Sequence, residues 1–286
     1  MNYGSPFYLL MLILLFFLTA GLYFLLKNRS VMLKKCILFA LMMINVFQHL
    51  FKWAIYPMYD GMGFNVLSTA YNMCAFLILF SPIAFFSKSD FLKNLVFPVG
   101  AAAGLVANLV PYWYVGMSVS ELGWEYARFY ICHSLLFVTS ALVIMLDLHK
   151  PKLAKFWQPA VGFLFALVMI LTNDVIAVSL GIFDGYDKSD LYGALLGANP
   201  CFSMGPPENF AWLADISAVF TPSVFLGNNK TGMYTPILWY AIPLLIGISI
   251  IAFLLFFAID KSGRKEFIDA LGSLKEKLQN RLSKKR

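Results

Sequence analysis

Two histidines, two cysteines and a few charged side chains fall inside stretches that are otherwise apolar. Asn45, His49 and Lys52 stand at i, i+4 and i+7, one face of a helix. Glu125, Arg128 and Cys132 stand at i, i+3 and i+7, with His133 about 100° further round. Cys74 follows Asn72 at two residues, and Asp174 follows Asn173 directly. A thiol beside an imidazole can form a thiolate, take up an acyl group and pass it on. The imidazole would accept the thiol proton and later activate the acceptor. Cys74 or Cys132 could supply the thiol, and His49 or His133 the imidazole. His49 and Asn72 would orient or polarise, Arg128 or Lys52 would hold a phosphate, and Asn45 and Asp174 would complete the polar lining. A metal site from His49, His133 and Asp174 is conceivable, but no HxxxH or HExxH spacing supports it. There is no P-loop, no GxGxxG and no serine-hydrolase elbow, so no metal or cofactor is expected.

The elements that must position these groups are membrane helices. The chain has 286 residues, 60% of them hydrophobic and 13% charged. A soluble domain carries about 25% charged residues. Runs of roughly 20 apolar residues, enough to cross a bilayer, lie near Phe7–Leu26, Leu33–Tyr56, Val66–Phe86, Phe91–Val110, Trp124–Leu146, Trp157–Leu180 and Pro236–Ile259. The expected fold is all-α: a polytopic bundle of seven transmembrane helices over residues 1–260, with a long outer loop at 181–235 and a tail at 261–286. Pro98, Gly100 and Gly104 interrupt the fourth run, which a membrane helix tolerates when neighbours satisfy the freed backbone. Eighteen of the 22 Lys and Arg residues fall in the first, third and fifth loops and the tail. The positive-inside rule puts that face in the cytoplasm, with the N-terminus outside and the C-terminus inside. This distribution also explains the net charge of +7 without nucleic acid. The four cysteines have no disulfide or metal-ligand spacing. Expected localisation is a multi-pass protein of the plasma or cell membrane.

With span direction respected, the ionisable residues of the spans (His49, Lys52, Glu125, Arg128, His133 and Asp174) all lie in the outer halves. His49 and His133 are about 12–14 Å below the outer boundary, and Cys74 about 12 Å. Charges in a bilayer are costly and usually face the bundle interior, so these faces could line one water-accessible pocket open to the outside. A purely structural account stands beside this. Arg128 and Lys52 are near enough to the boundary to snorkel. Glu125 and Arg128 can pair across a turn, and Cys74 and Cys132 can serve as small packing residues. In the tail, Phe267, Leu271, Leu274, Leu278 and Leu282 form an apolar stripe among Lys and Arg. That pattern fits a basic amphipathic helix on anionic inner-leaflet lipid, or else a solvated tail.

Three stretches carry a resemblance to the YwaF-like integral membrane family. Leu67–Cys74 is similar to its third-span Leu-Pro-Leu-His-Leu-Cys segment, Ala127–Ser134 to its fifth-span motif ending in Ser/Gly-His-Gly, and Ile44-Asn45 to its second-span Asn-Glu. Asn72 stands where the family has a histidine, and Val46 where it has a glutamate. The family's downstream Leu-Asp-x-x-Gly-Pro-Trp-Pro segment has no counterpart at or after Thr172–Asp190. Relatives of that family include a eukaryotic acyltransferase acting on ether phospholipids, so the resemblance implies a phospholipid-modifying acyltransferase with Cys74 and His133 at its centre. Membrane phospholipids are then the expected partners. A transporter or receptor with an outward polar pocket is the alternative, and a structural protein whose polar layer only specifies packing is a third.

Overall fold

The structure, a computed structural model, describes the chain apart from residues 1–4, 56–62, 112–118, 184–186, 207–210, 228–233 and 284–286, and apart from the side chains of 119–126, 281 and 283. Serines start three of the long helices, each side chain accepting a backbone N–H: Ser5 for α1 (Pro6–Leu26), Ser30 for α2 (Val31–Leu50) and Ser89 for α5 (Asp90–Leu109). A short α3 (Lys52–Ile55) follows α2, and Asn72 caps α4 (Met73–Phe86). Then come α6 (Val119–Met145), α7 (Gln158–Leu180), the short helices α8 (Leu191–Ala198) and α9 (Trp212–Phe220), α10 (Ala241–Ile259) and α11 (Lys261–Ser283). Seven stretches are long and apolar enough to cross a membrane: Pro6–Leu26, Val31–Leu50, Val66–Phe86, Asp90–Leu109, Ala127–Met145, Leu153–Leu180 and Ala241–Ile259. Among the described residues there is no strand. The protein is a multi-pass bundle with an N-terminal end, where α1 begins and α2 finishes, and a tail end, where α10 passes into α11.

Two spans differ from the sequence reading at the N-terminal end of the bundle. The second is not one helix to Tyr56: α2 stops at Leu50, Phe51 leaves helical geometry (φ −106°, ψ 21°), and Lys52 restarts the chain in α3. The third begins with a 3₁₀ turn, Val66–Ser68, and becomes α-helical only at Met73. Asn65 and Asn72 cause this, because each side chain accepts a backbone N–H ahead of it and ends the preceding conformation. Cys74 is therefore the second residue of α4, not a mid-span residue. The 181–235 loop is partly helical, holding α8 and α9. The sequon at 229–231 lies outside the described residues.

α5 is the centre of the bundle, packed on α4, α6 and α7. It runs unbroken through Pro98, and its small residues let it sit against α6 backbone to backbone. A Cβ added at Gly104 would lie 2.7 Å from the Phe137 nitrogen and 2.8 Å from the His133 oxygen, and one at Gly100 2.6 Å from Ser140 Oγ. Without a hydrophobic drive between helices in lipid, this close approach is what makes dispersion contacts effective. Leu95 of α5 meets Gly162 of α7 in the same way. The apolar core between these helices includes Phe76, Leu77, Phe97, Leu136, Leu142 and Leu167, all at most 1% exposed. α1 and α10 are peripheral and largely lipid-facing, as Phe17 (74% exposed) and Ile251 (62%) show.

Gly104→Ala should destabilise the bundle by about 1–3 kcal/mol, since the neighbours it strikes are backbone atoms that cannot rotate away. Gly21→Ala on α1, with nothing within 4 Å, should be neutral. Thermal unfolding of the two variants in detergent checks the contrast.

Candidate functional site

The polar residues at the N-terminal end are buried and bonded across helices. Asn45 Nδ2 donates to the Cys132 carbonyl at 3.0 Å, joining α2 to α6, and Gln48 Nε2 donates to Asn45 Oδ1 at 2.7 Å. His49 Nε2 bonds the Thr69 carbonyl at 2.9 Å, joining α2 to the turn before α4. Asn173 Nδ2 on α7 donates to Thr69 Oγ1 at 2.8 Å and to Asp174 Oδ1 at 3.0 Å. Tyr71 lies parallel to the His49 ring, centroids 6.4 Å apart, and Lys52 Nζ stands 5.2 Å from the centre of the Tyr71 ring. His49 is within electrostatic reach of both Lys52 and Arg128. One belt thus gathers groups from α2, α3, α6, α7 and the Val66–Asn72 segment.

Asn45, His49, Lys52 and Asp174 are at most 3% exposed and Arg128 is 8% exposed. These side chains are buried within the described residues, and the water-accessible pocket read from the sequence is not among what they show. An apolar groove of about 380 Å³ does open on the bundle, but on α1, between Leu9, Leu12, Ile13, Phe16, Phe17 and Ala20. It faces lipid and includes none of the belt residues.

The candidate nucleophile and bases are placed as follows. His133 Nδ1 bonds the Phe129 carbonyl of its own helix at 2.8 Å, with the Phe129 ring 4.3 Å from the imidazole. A carbonyl only accepts, so the contacting nitrogen carries the proton in each ring. When neutral, His133 presents Nε2, and His49 presents Nδ1, as the basic nitrogen. The ionisable neighbours of Cys74 are Cys132 and Cys201, and both imidazole bonds described run to backbone carbonyls. Asn72 is occupied as the α4 cap, its Oδ1 accepting from Ala75 N at 2.9 Å. Asn45 binds helices together. The side chain of Glu125 lies outside the described residues.

Sequence reasoning missed Cys201. Its backbone (φ 50°) is left-handed, as are those of Asn199 (φ 42°) and Phe202 (φ 61°), a rare and strained choice for non-glycine residues. The strap is held from both sides. Asn199 bonds Met204 N and the Gly205 carbonyl, Tyr240 Oη donates to the Cys201 carbonyl, and Trp239 Nε1 donates to the Phe202 carbonyl. Its thiol bonds the Met73 backbone at the start of α4. Burial pushes that thiol up to about 12, so Cys201 is protonated at neutral pH and is no nucleophile. No spacing rule in the sequence brings residue 201 to residue 73. Only the fold does.

Among the described residues five buried donors have no hydrogen-bond partner: Trp53 Nε1, Ser68 Oγ, Ser203 Oγ and Thr221 Oγ1 at this end, and Ser140 Oγ on α6. Trp53 follows Lys52, Ser68 precedes Thr69, and Ser203 is in the strap. Buried polar atoms are nearly always bonded, so orphans mark a place where a ligand or water completes the set.

A second polar cluster, also missed, sits at the tail end. His149 Nε2 donates to Asn94 Oδ1 at 2.7 Å, and Asn94 Nδ2 donates to Gln158 Oε1 at 2.7 Å. Lys155 pairs with Asp90 at 2.6 Å. The network ties α5 to the α6–α7 connection and to the start of α7. Its members are spread over sixty-odd residues and are mostly uncharged, so no local pattern flags them.

No protein-family model, no curated protein and no solved structure matches the chain. Among the described residues no group of three or more His, Cys, Asp or Glu side chains could hold a metal ion.

His149 yields a pH prediction. Burial, helped by Lys93, holds its imidazole at about 4 against an ordinary 6.5. The folded form resists a proton that the unfolded chain accepts, so this residue's contribution to stability declines as pH falls from 6.5 towards 4 and levels off below. The melting-temperature difference between wild type and His149→Gln should shrink across that window. A difference independent of pH would contradict a neutral buried ring.

Proposed function

We propose that this chain is a membrane-embedded lipid-modifying enzyme that transfers an acyl group to or from phospholipid in the outer leaflet. The carrying observation is the set of unpartnered buried donors, Trp53 Nε1, Ser68 Oγ and Ser203 Oγ, around a belt that also holds Lys52 and Arg128. Donors and cations together suit a phosphate-bearing headgroup. On the positive-inside reading this end faces the outer leaflet, and Ser68 stands near the start of the Val66–Phe86 span, where headgroups and esters would lie. Cys74, in the first turn of α4, would supply the thiol. His133 or His49 would take the thiol proton on the nitrogen that does not face its carbonyl. Reaction would need an imidazole to swing from its carbonyl to the thiol.

The test is acyl-chain profiling of phospholipids in cells lacking the endogenous protein and expressing wild type, Cys74→Ser, His133→Ala or His49→Ala. Cys74→Ser and at least one histidine variant should lose the wild-type change in profile at unchanged protein abundance. Profiles identical to wild type in all three variants would remove the acyl-transfer reading.

The alternative is a receptor or transporter whose belt binds a small polar ligand without chemistry. It is favoured by the absence, in the bonds described, of any link from Cys74 to an imidazole. Under that reading Cys74→Ser is silent, while Ser68→Ala and Arg128→Gln weaken ligand uptake or binding in proteoliposomes.

A further inference from the structure

The tail helix α11 is amphipathic, and its apolar arc admits basic residues but no acidic ones. At about 100° per residue, Phe267, Ile268, Leu271, Leu274, Leu278 and Leu282 occupy one arc of about 120°. All six are exposed, from 38% to 67%. Lys275 and Arg264 lie within that arc and Lys261 at its edge, while Lys265 and Lys277 lie about 60° beyond it, near Glu276 and Glu266. Glu266, Asp269 and Glu276, the three acidic residues of α11, all fall on the opposite side. A helix built only for solubility has no reason to sort its acids away from its apolar stripe. A helix lying on an anionic surface does.

The joint with α10 fixes where that stripe sits. Asp260 breaks the helix (φ −84°, ψ 87°). Its carboxylate accepts from Gly263 N at 3.0 Å and from Leu153 N of the α6–α7 connection at 2.8 Å. These two bonds hold the carboxyl below the usual carboxylate range and brace the bend. Phe267 then packs on Phe253 and Phe257 of α10, ring centres 5.5 and 6.2 Å away, and Arg264 stands over Phe257. Phe257 and Phe253 lie about 3 and 9 Å inside the end of the spanning helix, by helical rise. Surface helices bury their apolar faces about 5–10 Å into the headgroup and acyl boundary. The stripe of α11 thus starts at the depth of a surface-bound helix.

We propose that α11 is a membrane-surface helix. Its Phe267–Leu282 stripe inserts at the hydrocarbon boundary of the leaflet where α10 ends, and its flanking lysines hold the headgroups of anionic lipids. The inference is independent of the chemistry at the other end of the bundle.

The test uses the full chain in lipid nanodiscs, either phosphatidylcholine alone or phosphatidylcholine mixed with phosphatidylglycerol. A bimane label is attached at Leu278→Cys or Asp269→Cys in a Cys36→Ser background. Label at 278 should be quenched by doxyl lipid and shielded from iodide, more strongly in the anionic discs. Label at 269 should stay open to iodide in both. Lys275→Gln with Lys277→Gln should weaken docking in the anionic discs roughly thirtyfold, at about 1 kcal/mol per basic residue. Three results would overturn the proposal: equal iodide access at 278 and 269, equal docking in both compositions, or a label at 278 shielded from iodide and lipid quencher alike, which would mean a protein covers it.

Discussion

A polar group surrounded by lipid must find its partner inside the protein, because no water is there to supply one. This fold answers that constraint with two belts of hydrogen bonds separated by an apolar slab. At the N-terminal end, Asn45 reaches the Cys132 carbonyl, His49 reaches the Thr69 carbonyl, and Asn173 reaches Thr69 Oγ1 and Asp174. At the tail end, Asn94 joins His149 to Gln158. Most of these bonds connect elements distant in sequence, so each belt fixes which helix stands beside which. The slab between relies on shape, through the glycines of α5 and the leucines and phenylalanines around them.

The two belts differ in completeness. The acceptors and donors of the tail-end network satisfy one another, which reads as architecture. The N-terminal belt leaves Trp53, Ser68 and Ser203 with orphan atoms and lies under a strap whose backbone is strained at three non-glycine residues. Strain and unsatisfied polarity are what a binding site retains and a purely structural layer discards. Ser140 Oγ, between α5 and α6 in the slab, is unpartnered too, so what marks the N-terminal end as a site is its several orphans together with the strained strap.

The seven spans were readable in the sequence because hydropathy over twenty residues is a strong, local signal. The clustering of Asn45, His49, Lys52, Arg128 and Asp174 was readable for the same reason, since a charge in an apolar run stands out. What the one-dimensional reading lost was bonding. Asn72 appeared as a lining residue, but a polar side chain before an apolar run is also an N-cap signal, and here the cap is what it forms. The helical face through Asn45, His49 and Lys52 assumed an unbroken helix, and Phe51 breaks it. Cys201 and His149 lie in loops, where no periodicity reports depth, and their burial follows from long-range packing alone. Pro98 and Gly104 looked like interruptions of the fourth span. They lie instead in its most closely packed helix, because small residues in lipid promote contact.

The central claim is that the N-terminal belt is built to receive a phosphate-bearing lipid. Native mass spectrometry of the protein released from mild detergent addresses it most directly, comparing wild type with Ser68→Ala and Arg128→Gln, each first shown to melt like wild type. The account predicts one retained phospholipid per chain in wild type and its loss in both variants. Equal lipid retention in all three proteins, or none in wild type, would contradict it.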